Sequence, residues 1–277
     1  MTEKIKRPAL VVLSGGQDST TCLFWAKRMF EEVHAVSFNY GQRHARELLA
    51  AARVAFLAGV NSHEIVDIGP ILKGRSPLTD PAQPLEQYTD FESMDKTIGN
   101  RVELTFVPMR NALFLTLAAN RAICLGEGTS IVTGVCEADN ANYPDCRQSF
   151  INAQQWAINK ALGLANDDAR ELHIRTPLIS MTKAESIHFA QQVGAYEALA
   201  WSHTAYDGQY PPLGKDHATI LRAEGFRQAG LVDPLIARAA MEGKLPKTSP
   251  AVQIPVELAN AITAARRLLE VAGLADE

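Results

Sequence analysis

The chain has 277 residues, 47% of them apolar and 21% charged, enough for one buried core and a small second lobe. Its formal net charge of -4 excludes the basic surface that general nucleic-acid binding needs. The apolar stretch near the start is too short for a signal peptide or membrane span, and no run elsewhere reaches ~18 apolar residues, so a soluble cytoplasmic protein is expected.

In chain order, Val11, Val12 and Leu13 read as a buried strand and Ser19 to Phe30 as a helix. Val33 to Tyr40 is a second strand by its β-branched and aromatic content, followed by an Ala/Leu-rich helix and a short strand from His63 to Ile68. The segment from Lys73 to Asn100, rich in Pro, Asp and Thr, predicts a long irregular loop. A strand end and an apolar helix follow in TFVPMRNALFLTLAANRAICLG, then a buried strand from Ser130 to Cys136 and a helix over about 147–164. HIRTPL gives a further strand end. Thr182 and Glu185 form a capping box that opens the next helix. No repeat or low-complexity tract interrupts the chain, and none of the cysteines (Cys22, Cys124, Cys136, Cys146) forms a C-x-x-C pair, so no disulfide framework is expected.

Short strands alternating with helices predict a doubly wound parallel α/β sheet. Residues 1–200 are expected to form that domain and residues 201–277 a helical C-terminal subdomain. Ligands in such sheets sit at the carboxyl ends of the strands. Four polar stretches fall at such ends: LSGGQDST, FVPMRN, VCEADNANYPDCR and RTPLIS.

The first carries the most information. Between Leu13 and Thr20 the chain reads Ser14-Gly15-Gly16-Gln17-Asp18-Ser19. A glycine pair between strand and helix lets several N–H groups point at one place, and the helix start adds its positive dipole end. Ser14 and Ser19 add hydroxyls. Asp18 repels phosphate unless it holds a neutralising metal or caps the helix. No lysine stands where a Walker A loop requires one.

This string is similar to S-G-G-x-D-S, the pyrophosphate-binding (PP) loop of the ATP pyrophosphatases, whose fold is adenine nucleotide alpha hydrolase-like. FNYGQRHARELLAA, FVPMRNALFLTLAA, TGVCEADNANYPDCRQSFINA, RTPLISMTKAESI and LRAEGFRQAGLVDP extend the likeness over roughly residues 8–234. Together they resemble the bacterial 7-cyano-7-deazaguanine synthases. The resemblance implies an ATP- and Mg²⁺-dependent ligase that turns 7-carboxy-7-deazaguanine and ammonia into the nitrile precursor of queuosine, in a family often homodimeric. Catalytic roles fall to Asp18, Ser19, Arg110 and Lys183, with Mg²⁺ bridged by Asp18. ATP is expected on Leu13 to Thr20 and on Tyr40, Gln42 and Arg43. His44, beside them, reads as structural. The deazapurine is expected on Asn111, Glu137, Tyr143 (stacking), Asp145 (reading the amino-pyrimidinone edge) and Arg147 (meeting the carboxylate). Cys146 reads as a packing residue.

Two departures stand out. The four zinc cysteines of the family are replaced, with His203, Leu213, Asp216 and Thr219 near their places. His203, Asp207, Asp216 and His217 are the remaining N/O candidates, but their spacing is shuffled, so no structural zinc is expected. Met109 stands where the family usually has glycine, which predicts a narrowed or reshaped site. Both departures raise an alternative, a paralogue of antiphage, CBASS-like operons that joins the deazaguanine to a protein amine. A tRNA-thiolating or amidotransferase enzyme shares only the first loop, and a degenerate nucleotide sensor fits poorly with an intact Asp18.

Overall fold

A computed structural model of the chain describes residues 3–43, 46–74, 76–137, 142–164 and 168–245. His44 and residues 246–277 of the expected C-terminal subdomain lie outside the described residues.

Five parallel strands form one sheet in the order β3-β2-β1-β4-β5: β1 (Ala9–Val12), β2 (Val33–Asn39), β3 (Ser62–Asp67), β4 (Ser130–Val132) and β5 (His173–Arg175). The central strands are apolar on both faces because helices cover both. On one face Ala9, Val11 and Leu13 pack against Cys22, Leu23 and Ala26 of α1 (Gln17–Met29) and against Ala51, Val54 and Ala55 of α2 (Arg46–Ala58). On the other face Leu10, Val36 and Phe38 meet Leu115, Ala118 and Ala122 of α4 (Arg110–Leu125) and Ile151 and Ile158 of α5 (Gln148–Ala161). Each fully buried Leu, Ile or Val contributes about 1.5–3 kcal/mol, so this double-sided core fixes the register Val11↔Ala35 and Val11↔Val132.

The order reverses between β1 and β4. That reversal opens a crevice beyond the strand ends. β4 is shorter than the sequence suggested. It pairs with β5 from Ser130↔His173 to Val132↔Arg175 and no further, and the chain then leaves the sheet at Gly134. A Cβ at Gly134 would lie 2.8 Å from the Ser19 nitrogen and 2.9 Å from the Asp18 carbonyl carbon, so this strand end lies against the start of α1.

The segment expected to be irregular contains α3 (Phe91–Ile98), capped by the Asp90 side chain accepting from the Ser93 N–H. Met94 and Ile98 bury against Tyr88 and against Leu221 of α7 (His217–Ala229). The predicted capping box of α6 (Lys183–Val193) is present in both halves. α6 packs on α1 through Ile187, Ala190 and Phe24. α7 lies on α6, and α8 (Pro234–Met241) follows.

Candidate active site

The loop after β1 takes a conformation that only glycine allows cheaply. Gly15 has φ +85°, and a Cβ there would sit 2.3 Å from the Glu47 carbonyl oxygen and 2.6 Å from the Ala51 nitrogen. The loop therefore lies directly on the first turns of α2. Its far side is held by the His203 N–H, which donates to the Gly15 carbonyl at 2.8 Å. Gly16 is the cap residue of α1 and supplies no side-chain cap, so the first-turn N–H groups lack intrahelical acceptors. Asp18 is within that turn rather than capping it. The Ser14 and Ser19 hydroxyls are 3.0 Å apart. The Thr20 hydroxyl is turned inward and donates to the Gly16 carbonyl at 2.7 Å.

Lys183, expected as a cationic helper, reaches Asp18 across the crevice, with Nζ–Oδ2 2.9 Å. Its position follows from α7. A Cβ at Gly225 would lie 2.4 Å from the Lys183 Cγ, so the missing side chain leaves a notch for the lysine stem.

A cavity of about 530 Å³ opens here, lined by Ser14, Gly16, Gln17, Asp18, Ser19 and Lys183. The same cavity is lined by Tyr40, Gln42, Glu47 and Arg110 and by Asn111, Tyr143 and Arg147. Three of the four predicted polar stretches thus converge. RTPLIS does not line the cavity; its Ile179 carbonyl instead accepts the Glu137 N–H at 2.9 Å. Arg110 is the electrostatic centre. Burial opposes its charge, but Tyr40, Tyr143 and Tyr206 around it hold its pKa above the ordinary value. Burial raises the Glu47 carboxyl to about 7, with Arg110 opposing the rise. Burial also raises Asp145, again against Arg110. Asp145 lies just behind the wall. Its carboxylate accepts the Asn111 N–H at 3.3 Å, and its carbonyl accepts from the Asn111 side chain at 3.2 Å. Tyr143 lines the cavity while its hydroxyl meets Thr105 at 2.5 Å and donates to buried Glu103 at 3.2 Å. Glu137 accepts the Gln148 N–H at 3.2 Å. Arg43 donates to the Pro77 and Gln83 carbonyls, tying the segment before α3 to the cavity lining.

Residues 8–230 match the model of the family described as "Queuosine biosynthesis protein QueC". The chain belongs to the QueC family. Among its relatives, the 7-cyano-7-deazaguanine synthase of Gloeobacter violaceus is 50% identical over 83% of this chain and 95% of its own length. That of Chromobacterium violaceum is 46% identical over 88% and 99%, and that of Laribacter hongkongensis 46% over 84% and 95%.

Within this QueC-family chain, the region of the replaced cysteines is built from polar side-chain contacts. Asp216 caps α7, accepting from the Thr219 N–H and hydroxyl at 3.1 and 2.8 Å. The His203 ring meets the Ala205 carbonyl at 2.9 Å. Buried Arg222 donates to both carboxylate oxygens of Asp233 at 2.6 and 2.8 Å and to Ser202 and Thr204 at 2.8 Å each. Among the described residues no group of three or more His, Cys, Asp or Glu is arranged to hold a metal ion. Of the narrowing or reshaping expected from Met109, the narrowing does not occur, because its side chain is 68% exposed and does not line the cavity. What this residue changes is the backbone, held at φ 66° at the start of α4.

Sequence reasoning missed Glu47, Glu103, Gly134, Tyr206, Arg222 and Gly225. A glycine inside a strand pattern signals close backbone approach, so Gly134 was findable. Glu47 carried no local signal.

Proposed function

We propose that this chain is a 7-cyano-7-deazaguanine synthase. The observation that carries the reading is one cavity lined both by the SGGQDS loop with the Asp18–Lys183 pair and by Asn111, Tyr143 and Arg147. It joins nucleotide-activating residues to base-binding ones. ATP adenylates the carboxylate of 7-carboxy-7-deazaguanine, and ammonia displaces AMP to give the amide. A second ATP activates the amide oxygen, which leaves with AMP as the nitrile forms.

Each residue has a task in this scheme. The loop N–H groups, Ser14 and Ser19 hold the leaving pyrophosphate. Gln17 supports this fit, since its side-chain amide is buried with no hydrogen-bond partner among the described residues, and a polyphosphate oxygen supplies one. Lys183 and Arg110 stabilise charge building on phosphorus. One acidic residue beside phosphates suits Mg²⁺, which takes one or two carboxylates plus phosphate oxygens. Asp18 would hold it, and the ion would offset polyphosphate charge. Tyr40, Gln42 and Arg43 take the adenosine end. Tyr143 stacks on the base, Asn111 and Glu137 order its edge with Asp145 holding Asn111 from behind, and Arg147 pairs with the carboxylate. No helix among the described residues is long and apolar enough to cross a membrane, which supports a cytoplasmic setting. A homodimer completes the reading. No observation favours the protein-amine acceptor.

Mass spectrometry of the protein with ATP, Mg²⁺, 7-carboxy-7-deazaguanine and ammonium tests this, with Asp18→Ala as control. Nitrile over many turnovers, lost in the control, is expected. AMP release without nitrile would mean a different acceptor.

A further inference from the structure

We propose that Glu47 is the base of the nitrogen-addition steps, taking the proton that the ammonia-derived nitrogen gives up as it bonds to the activated carbon. This rests on the synthase reading above. Glu47 lies in the first turn of α2, and its carbonyl touches the loop at Gly15. Glu47 lines the cavity and interacts electrostatically with Arg110. Among the described residues three carboxylates line the cavity: Asp18, Glu47 and Glu137. Asp18 is ion-paired to Lys183, and Glu137 accepts the Gln148 N–H at the start of α5. Glu47 lines the cavity, and among the described residues no hydrogen bond or ion pair within 4 Å engages its carboxylate.

The charged and titratable groups facing it are Arg110 of α4 and Tyr40 at the end of β2. A carboxylate in a helix's first turn is ordinarily stabilised by the dipole. Here burial wins and holds the group at about 7, where a general base operates best at neutral pH.

The chemistry needs such a base at each loss of a nitrogen proton. Ammonium must give a proton to Glu47, and from there to solvent, before its nitrogen can attack. As the C–N bond forms, the acyl–oxygen bond to AMP breaks, AMP leaves with that electron pair, and the excess nitrogen proton passes to Glu47 and then to solvent. In the second half AMP is transferred from ATP to the amide oxygen, with loss of pyrophosphate and of one N–H proton to solvent. The C≡N bond then forms as the carbon–oxygen bond breaks, AMP carries off the oxygen with that electron pair, and the last N–H proton passes to Glu47 and then to solvent.

The test compares the wild-type protein with Glu47→Gln in three assays: pyrophosphate release on ATP and the carboxylate, nitrile formation with ammonium, and hydroxamate formation with hydroxylamine. Unlike ammonium, hydroxylamine is mostly neutral at neutral pH. Nitrile turnover in Glu47→Gln should fall at least ~100-fold, a general base being worth 10²–10⁴. Pyrophosphate release should fall far less, the acidic limb of the kcat–pH profile should vanish, and hydroxylamine should restore product. Thermal melts control for folding. The folded state raises this carboxyl's pKa, so its stabilising contribution is full below about pH 4.5 and lost as pH rises through about 7. Glu47→Gln should therefore melt no lower than wild type at pH 8. Nitrile formation within a few-fold of wild type would overturn the inference, as would parallel loss of pyrophosphate release, which would place Glu47 in ATP binding. No nitrile from the wild-type protein would bring down the synthase reading as well.

Discussion

Gly134→Ala is the sharpest test of how the sheet builds the loop. The added methyl would stand 2.8 Å from the Ser19 nitrogen, 2.9 Å from the Asp18 carbonyl carbon and 3.1 Å from the Asp18 carbonyl oxygen. All three are backbone atoms in the first turn of α1, so no side chain can swing aside. Relief needs a shift of several tenths of an ångström, either of α1 away from β4 or of the chain after Val132. α1 is fixed by buried Cys22, Leu23 and Ala26, and overpacking of this kind costs about 1–3 kcal/mol. The same shift moves the Asp18 and Ser19 N–H groups, which are the proposed pyrophosphate donors. Urea denaturation should show the stability loss, and calorimetric titration should show ATP affinity down by at least ~10-fold, or about 1.4 kcal/mol. Gly74→Ala is the matched control, since the nearest atom to its Cβ is the Pro108 Cδ at 3.8 Å. A Gly134→Ala protein as stable as wild type and with unchanged ATP affinity would refute the close approach of β4 and the loop.

Two further outcomes concern stability alone. Met109 pays for a left-handed φ of 66° that costs an L-residue about 1–2 kcal/mol, and its exposed side chain gives little back. Met109→Gly should gain about 0.5–1 kcal/mol after the glycine entropy cost, read as a Tm rise of about 1–4 °C; a lower Tm would contradict the strain. Arg222→Ala leaves Asp233 buried without its cation, the pair being 3% and 10% exposed. Loss of about 3–5 kcal/mol is expected in urea, and a change under 1 kcal/mol would mean that the pair is replaceable by water.

Local chemistry carried the parts of the molecule that were legible in advance. The apolar run ending in Ser14-Gly15-Gly16 announced β1, the loop and α1, and Thr182 with Glu185 announced α6. α3 was hidden because its flanks are rich in Pro, Asp and Thr. Its own signal, Phe91, Met94 and Ile98 at helical spacing, is only eight residues long. Its stability comes from Leu221 of α7, which no local pattern shows. β4 looked longer because Gly134, Val135 and Cys136 continue the apolar run, but the approach of α1 ends the pairing. Asp18 and Lys183 were each legible as functional residues. Their pairing was not, because 165 residues separate them and only the fold brings them together. Glu47 is the clearest case of a property made by tertiary structure: as a string, it is an ordinary acid near a helix start.

The notch at Gly225 has a consequence for when the protein becomes competent. During synthesis the loop at 14–19 leaves the ribosome early and Lys183 much later, but the surface that seats the lysine stem comes only with α7. Arg222, three residues before that notch, ties the same helix to Asp233 and to Ser202 and Thr204, beside His203 whose N–H holds Gly15. A nascent or prematurely terminated chain ending near residue 200 therefore presents the loop with neither its far-side hydrogen bond nor a seated lysine. With the pyrophosphate role proposed for that loop, nucleotide capture becomes a late event in biogenesis.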